Sequence, residues 1–137
     1  MKTQQSLVKE TLKGKNILIT GCTGFLGKVL LEKIIRSMPD VASINVLIRG
    51  NSKYQTGQER FEKEILCSSI FDQLKSSDES AFKQFCDTKL HVITGELTQT
   101  EFGLETDAFT ALAQKIDLIV NSAASVNFRE ALDRALK

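Results

Sequence analysis

Three glycines spaced three residues apart, Gly21, Gly24 and Gly27, are the part of the sequence that most directly indicates chemistry. They follow a short apolar run and open a segment whose apolar residues recur at helical spacing. In such a strand–turn–helix unit the first glycine allows a sharp turn, the second lets a pyrophosphate approach the backbone, and the third lets helix and strand pack closely. Free N–H groups at the helix start bind the phosphates. The pattern predicts a dinucleotide site, and the alternative is a tight turn without a ligand. The residues expected to bind the cofactor here are Thr20, Gly21, Thr23, Gly24, Phe25, Leu26 and Gly27.

The end of the second predicted strand indicates which dinucleotide binds. A site selective for NAD usually has an acidic residue about 20 residues beyond the glycines, where it accepts a hydrogen bond from the ribose 2′-hydroxyl. Here the strand ends at Arg49, and Asp40 and Glu59 lie before and well after it. A planar guanidinium suits a 2′-phosphate because it donates two charge-assisted hydrogen bonds. Arg49, with Lys53 as a second cation, therefore favours NADPH. The alternative is that Arg49 is a surface arginine in a loop.

The ends of the third and fourth predicted strands supply further candidates. Glu96 and Leu97 follow strand three, where an adenine would rest on an open doubly wound sheet. Ala123, Ala124 and Ser125 follow strand four, and such small residues let the nicotinamide half lie close to the backbone. The alternatives are an ordinary acid on a loop in the first case and ordinary tight packing in the second.

Alternating strand and helix patterns must position these residues. The predicted strands are 16–20, 44–48, 90–94 and 117–121, and the predicted helices are 25–38, 107–114 and a last one beginning near Arg129. Continuous apolar runs such as residues 17–19 are typical of strands buried on both faces of a parallel sheet. The fold class is therefore α/β, a Rossmann-type doubly wound parallel sheet whose first half has the strand order 3-2-1-4.

Residues 51–89 form an insertion between strands two and three and show helical rather than strand patterns. Helices are predicted near 58–66 and 79–85. The second is introduced by Ser76, with Glu79 three residues on, which is the spacing of a capping box. Four apolar residues are expected to pack this helical insertion onto the sheet: Phe71, Leu74, Phe82 and Phe85.

Length and composition limit the function classes. The chain has 137 residues, 42% hydrophobic and 26% charged, which is typical of one globular domain. Its net charge of +1 gives no electrostatic footprint for nucleic acid. No run approaches the roughly 20 apolar residues that span a bilayer, and no secretory leader is visible. Three widely spaced cysteines fit reduced thiols better than disulfides or a zinc site. We expect a cytoplasmic protein, with residues 1–13 a polar lead-in outside the core and residues 14–137 the dinucleotide-binding domain.

Four segments together resemble the fatty acyl-CoA reductases, which are extended short-chain dehydrogenase/reductase enzymes. They are the glycine motif and helix start at 20–33, the second-strand end at 46–50, an inserted lobe at 69–74 and a fourth-strand signature at 121–128. The bacterial alcohol-forming members are the best fit. The resemblance implies NADPH-dependent reduction of a long-chain acyl-CoA to an aldehyde and then to a primary alcohol. It also implies an enzyme whose contact with membranes is at most peripheral.

The sequence departs from this family at the catalytic acid. The family uses a tyrosine followed four residues later by a lysine, and the tyrosine protonates the developing alkoxide. The single tyrosine here, Tyr54, has Gln58 four residues on, and the single histidine, His91, lies in a predicted strand. We therefore expect the chain to be the cofactor-binding half of a longer enzyme, inactive alone. Strand four would be an apolar edge, so we also expect the isolated chain to self-associate and to bind NADPH weakly.

Three other functions remain open. A thioester reductase domain would release carrier-bound acyl groups as aldehydes, and its product separates it from an alcohol-forming reductase. An extended epimerase or dehydratase acting on nucleotide sugars is disfavoured by the long segment 51–89. A non-catalytic NADP-binding module is compatible with the missing Tyr/Lys pair, and a Tyr-x-x-x-Lys sequence further along the gene would exclude it.

Overall fold

A parallel four-stranded sheet organises the chain. The computed structural model describes residues 6–124, 129 and 131–135. The strands are β1 Asn16–Thr20, β2 Ser43–Ile48, β3 Leu90–Thr94 and β4 Leu118–Asn121. They lie in the order β3-β2-β1-β4, all parallel. This confirms the predicted fold class and strand order, and it puts the carboxyl ends of all four strands at one edge of the sheet.

Helices connect the strands. The α-helices are α1 Leu7–Leu12, α2 Phe25–Ser37, α3 Gly57–Arg60, α4 Asp72–Ser77, α5 Glu79–Lys89, α6 Thr106–Lys115 and α7 Leu132–Ala135. A π-helical turn, Phe61–Ile65, continues α3, and 3₁₀ turns occupy Ser69–Phe71 and Thr100–Gly103. The helix predicted from Arg129 lies partly outside the described residues, and its described part is α7.

Strands β1 and β2 form the buried centre of the sheet. Ile17, Ile19, Ile44 and Val46 have no exposed surface, as suits β-branched side chains in a sheet covered on both faces. Strand β4 lies at the edge of the described sheet, as expected from its place in the strand order, and Ile119 in it is 60% exposed. Val120 of the same strand is partly buried against the main core, so the exposed apolar surface of β4 is at Leu118 and Ile119.

Helix α2 packs on the sheet through Leu31, Ile34 and Ile35, which are buried. It ends at Ser37, as the nearby proline predicts. Phe25 and Leu26, predicted for the same apolar face, are instead 77% and 68% exposed. They form the first turn of α2 at the carboxyl edge of the sheet, where no described element lies over them.

The predicted capping box of the insertion is wrong. The Ser76 hydroxyl lies within α4 and donates to the Gln73 carbonyl at 3.2 Å, whereas the Asp78 carboxylate accepts from the Ala81 amide at 2.9 Å. Asp78 has an extended backbone, with φ −158°, which separates α4 from α5. Asp78, and not Ser76, is therefore the N-cap of α5.

The insertion packs on the sheet through its aromatic residues, as predicted. Phe71 and Phe85 are buried in the main core, and Leu74 and Phe82 are partly buried against it. The rings of Phe71 and Phe82 lie 6.4 Å apart at their centroids. These buried aromatic contacts hold the insertion against the sheet. They thereby position its first helix, α3, relative to the strand ends.

The lead-in is not wholly outside the core, contrary to expectation. Residues 7–12 form α1, and Leu12 is partly buried against the main core. The amide of Gly14 donates to the Asp40 carbonyl at 2.8 Å, which ties the segment down just before β1. A helix of six residues is too short for hydrophobic periodicity to reveal it.

Candidate dinucleotide-binding site

A cleft of about 650 Å³ opens at the carboxyl ends of the strands. In open α/β sheets ligands bind at this edge, where the strand order reverses, and ligand sites typically occupy roughly 300–1,000 Å³. Four segments line the cleft, residues 20–24, 47–49, 95–98 and 121–124, together with Arg60 and Arg134. Most of the residues predicted from the sequence therefore come together in one cleft.

The three glycines differ in what the fold requires of them. Gly21 has φ +81°, and a Cβ there would lie 2.5 Å from the backbone nitrogen of Ala123. A Cβ on Gly27 would collide with the carbonyl oxygen of Gly21. Gly24 is exposed, has φ −82°, and a Cβ there would meet only the Gly21 oxygen at 3.5 Å. Packing thus excludes side chains at Gly21 and Gly27, whereas at Gly24 there is room, on the side that lines the cleft.

The amino end of α2 begins at this turn. Gly24 precedes its first residue, and no side chain caps it. The helix has 13 residues, long enough to carry a positive partial charge at its start. Among the other residues predicted at this turn, Thr23 lines the cleft. Phe25, Leu26 and Gly27 do not line it. These last three can reach a phosphate only through their backbone N–H groups.

The carboxyl ends of β1 and β4 are joined by side-chain hydrogen bonds at the cleft floor. The Thr20 hydroxyl donates to Asn121 Oδ1 at 2.5 Å, and that oxygen also accepts from the Ala123 amide at 3.1 Å. The Ser122 hydroxyl donates to the Thr20 carbonyl at 2.7 Å. Sequence reasoning included Thr20 and Ala123 but missed Asn121 and Ser122. Ala124 also lines the cleft, whereas Ser125 lies outside the described residues.

Arg49 and Glu96, assigned from the sequence to different parts of the ligand, are paired in the structure. Arg49 Nη1 lies 3.1 Å from Glu96 Oε2. Burial would raise the pKa of Glu96, but hydrogen bonds from Arg49 and Thr98 outweigh it and lower that pKa. The Glu96 side chain is therefore a carboxylate at neutral pH. Leu97 lies beside it in the cleft wall.

A second arginine, Arg60, reaches the same corner from the insertion. Its Nη1 donates to the Arg49 carbonyl at 3.1 Å, and its Nε donates to Glu64 Oε2 at 2.8 Å. The hydrogen bond from Arg60 lowers the pKa of Glu64. Sequence reasoning missed Arg60, although the four-residue spacing of Arg60 and Glu64 within a helical pattern was a signal for an ion pair.

Close packing brings α3 to the strand ends. The amide of Gly57 donates to Thr94 Oγ1 at 2.9 Å, and a Cβ on Gly57 would lie 2.5 Å from the Ile48 carbonyl oxygen. The Thr56 hydroxyl caps the helix by accepting from the Glu59 amide at 3.1 Å. Lys53, expected as the second cation, instead lies over the Tyr54 ring at 5.0 Å and does not line the cleft. Arg60, and not Lys53, lines the cleft beside Arg49.

Neither Tyr54 nor His91 lines the cleft. His91 lies in β3, where burial, and then the charge of Lys115, lower its pKa. Cys22 borders the cleft but is 1% exposed, and burial raises its pKa to about 12. Its thiol is therefore protonated at neutral pH and is a poor nucleophile. Among the described residues, the cleft lining contains no tyrosine or histidine that could serve as a general acid. The cleft is therefore interpreted as a binding site.

The fold and the cleft define a Rossmann-type nucleotide-binding domain. An NAD-binding family model described as Male sterility protein matches residues 19–137. The chain belongs to this family.

Curated relatives are fatty acyl-CoA reductases, which confirms the resemblance to that family. Fatty acyl-CoA reductase 2, chloroplastic, from Arabidopsis thaliana is 42% identical over 91% of this chain and 20% of its own length. Fatty acyl-CoA reductase 1 from Gallus gallus is 42% identical over 95% of this chain and 24% of its own length. The alcohol-forming fatty acyl-CoA reductase of Simmondsia chinensis is 33% identical over 94% of this chain and 26% of its own length. The chain thus spans about a fifth to a quarter of these relatives. The better fit to bacterial members and the cytoplasmic location stay predictions.

Solved structures with the same fold are reductase domains. The terminal R domain from the myxalamid PKS-NRPS biosynthetic pathway superposes with a TM-score of 0.67 and 28% identity, covering 90% of this chain and 28% of that one. The R domain of a nonribosomal peptide synthetase from Mycobacterium tuberculosis superposes with a TM-score of 0.61 and 28% identity. That match covers 84% of this chain and 25% of the R-domain chain. Together with the family model, these structures support a nicotinamide dinucleotide as the cofactor. Within residues 6–124, 129 and 131–135, no helix is both long and apolar enough to cross a bilayer.

Proposed function

We propose that this chain is the cofactor-binding part of an enzyme that reduces long-chain acyl-CoA thioesters with NADPH, to the aldehyde and then the primary alcohol. The observation that carries the choice of cofactor is the pair of arginines, Arg49 and Arg60, at the carboxyl end of β2. Similarity to fatty acyl-CoA reductases supports the substrate class. The residues of 14–137 form the dinucleotide-binding domain, and a longer polypeptide supplies the acyl site and the catalytic acid.

In this proposal the pyrophosphate binds at Gly24, where a ligand has room, and accepts hydrogen bonds from the N–H groups of Phe25, Leu26 and Gly27 at the start of α2. The adenosine half lies between the ends of β2 and β3, over Leu97 and beside Glu96. The 2′-phosphate lies against Arg49 and Arg60, whose guanidinium groups recognise phosphate in a planar, two-pronged manner.

The nicotinamide half lies over the end of β4, along Thr20, Thr23 and the small residues Ala123 and Ala124. When bound, the cofactor supplies a hydride to the acyl carbonyl carbon. The chain's own contribution is to bind and orient: the Thr20–Asn121 hydrogen bond holds two strand ends in register, and alanines leave the cofactor face open to substrate.

The test uses the full-length enzyme that contains this chain. It is incubated with palmitoyl-CoA and either NADPH or NADH, and the products are identified by gas chromatography with mass spectrometry. Hexadecanol formed with NADPH supports the proposal. Arg36→Ala is the matched control for loss of a cleft arginine such as Arg49. Arg36 pairs with Glu32 on α2 and lies outside the cleft lining, so this variant should leave turnover unchanged. Absence of acyl-CoA reduction with either cofactor contradicts the proposal.

A second function is favoured by the structural likeness to R domains of nonribosomal peptide synthetases. There the substrate would be an acyl group held on a carrier protein and the product chiefly an aldehyde. The same assay, run with an acyl-loaded carrier protein in place of palmitoyl-CoA, separates the two functions. A preference for the carrier-bound substrate would support the thioester reductase instead.

A further inference from the structure

We propose that Glu96 limits the preference of this site for NADPH over NADH: it holds Arg49 when no 2′-phosphate is present and repels that phosphate when it arrives. The inference rests on the proposed function, because it assumes that Arg49 faces the 2′-position of a bound dinucleotide. It adds a residue whose charge acts against NADPH, within a site whose arginines favour it.

The two partners of the pair are held very differently. The Glu96 side chain is 25% exposed, whereas that of Arg49 is 68% exposed. One Glu96 oxygen meets Arg49, and the other accepts from the amide and hydroxyl of Thr98 at 3.4 and 3.3 Å. The acid is therefore fixed to its own loop, while the arginine extends across solvent to reach it.

The loop that carries Glu96 is itself tied to the sheet. The amide of Gly95 donates to the Ile48 carbonyl at 3.2 Å, and the amide of Glu96 donates to the Phe102 carbonyl at 2.9 Å. Phe102, which accepts this hydrogen bond, has a left-handed backbone with φ +57°. The Glu96 carboxylate is thus a fixed negative charge beside the end of β2.

A fixed carboxylate and a 2′-phosphate compete for the same guanidinium. Like charges placed side by side at an interface oppose binding, so an NADPH phosphate must take Arg49 away from Glu96 and then lie near its charge. A ribose 2′-hydroxyl carries no charge and can donate a hydrogen bond to the carboxylate, which suits NADH. Arg60 is held differently from Arg49, since it donates both to Glu64 and to the Arg49 carbonyl.

Isothermal titration of the full-length enzyme that contains this chain with NADPH, NADH and 2′,5′-ADP tests the inference. Glu96→Gln removes the charge while keeping the length of the side chain and its hydrogen bonds to Thr98. We expect NADPH and 2′,5′-ADP to bind about three- to tenfold more tightly, with NADH unchanged or weaker. Glu96→Asp withdraws the carboxylate from Arg49 and should move the ratio of affinities in the same direction, by less. Glu105→Gln, on the same stretch of chain but outside the cleft lining, is the control for net charge.

Two results would overturn the inference. If Glu96→Gln weakens NADPH and NADH equally, Glu96 is a ligand of the adenosine half that both cofactors share. If Glu96→Gln changes neither affinity, the ion pair plays no part in selectivity. Failure of the proposed function has a different signature, because it appears as absence of palmitoyl-CoA reduction in the assay of the full-length enzyme, whatever the ratio of the two cofactor affinities.

Discussion

The α-carbon of Gly27, in the first turn of α2, faces the carbonyl oxygen of Gly21 so closely that no β-carbon fits between them. This contact fixes where the helix starts relative to the end of β1. It leaves Gly24, halfway between the two, as the one glycine of the motif that the fold itself does not require.

Substitution of Gly24 should therefore separate binding from folding. In Gly24→Val the new side chain projects where we place the pyrophosphate, so NADPH binding should fall sharply while the melting temperature changes little. In Gly27→Ala the new methyl group overlaps backbone, which should cost about 1–3 kcal/mol of stability. Fluorescence titration with NADPH and thermal unfolding of both variants make the comparison. Normal NADPH binding by Gly24→Val would mean that the dinucleotide lies elsewhere.

Removal of the Arg49 side chain should weaken NADPH binding selectively. The charge-assisted hydrogen bonds to a phosphate are worth roughly 1.5–3 kcal/mol, which corresponds to about 10- to 150-fold in affinity. Because release of Glu96 offsets part of this gain, we expect Arg49→Ala to lie near the lower end, with NADH little changed. Calorimetric titration with both cofactors measures it. Lys53→Ala is the matched control, since Lys53 lies outside the cleft lining, and equal losses for the two cofactors would remove the basis for naming NADPH.

Asp117 should make stability depend on acid pH. Its carboxylate accepts from the backbone amide of Asn16 at 2.8 Å and from the Asn16 side chain at 3.3 Å, and the backbone hydrogen bond lowers the pKa of Asp117. A carboxylate with a lowered folded-state pKa stabilises the fold above its unfolded value, about 3.9, and this contribution is lost as the pH falls through the folded value. Urea unfolding from pH 6 to pH 3 should show a steeper loss for the unaltered chain than for Asp117→Asn. Superimposable pH profiles would contradict the assignment.

The apolar surface at β4 should cause the chain to self-associate. Leu118 and Ile119 are 39% and 60% exposed, and a groove of about 270 Å³ lined by residues such as Phe109 and Leu112 lies beside them. Exposed apolar edge strands pair with other chains, and a lysine on the edge prevents it. Light scattering should show a mass that rises with concentration, and Ile119→Lys should reduce it. Ser80→Lys, on α5 next to β2 and β3, adds the same charge elsewhere and should not. A strictly monomeric chain at all concentrations would show that this edge is protected.

Local sequence was sufficient for the strands and for the glycine turn. Runs such as residues 17–19 and 44–48 are apolar enough to form only the centre of a sheet, and Gly21 and Gly27 are glycines because backbone lies where a β-carbon would be. Alternation of strands and helices then leaves few topologies, since parallel crossovers have one hand. The order β3-β2-β1-β4 could be predicted for that reason.

The electrostatics of the cleft were decided by tertiary structure. Arg49 and Glu96 are 47 residues apart, and Thr20 and Asn121 are 101 apart; each pair meets only because parallel strands end at one edge. Arg60 replaces Lys53 as the second cation because Gly57 lets α3 pack against the end of β2. Hydrophobic periodicity reports which face of an element is buried, but it carries no information about which charged side chains, far apart in sequence, come within hydrogen-bonding distance. Residue types thus determined that a phosphate-bearing ligand could bind, and the packing of the insertion on the sheet determined which charges surround it.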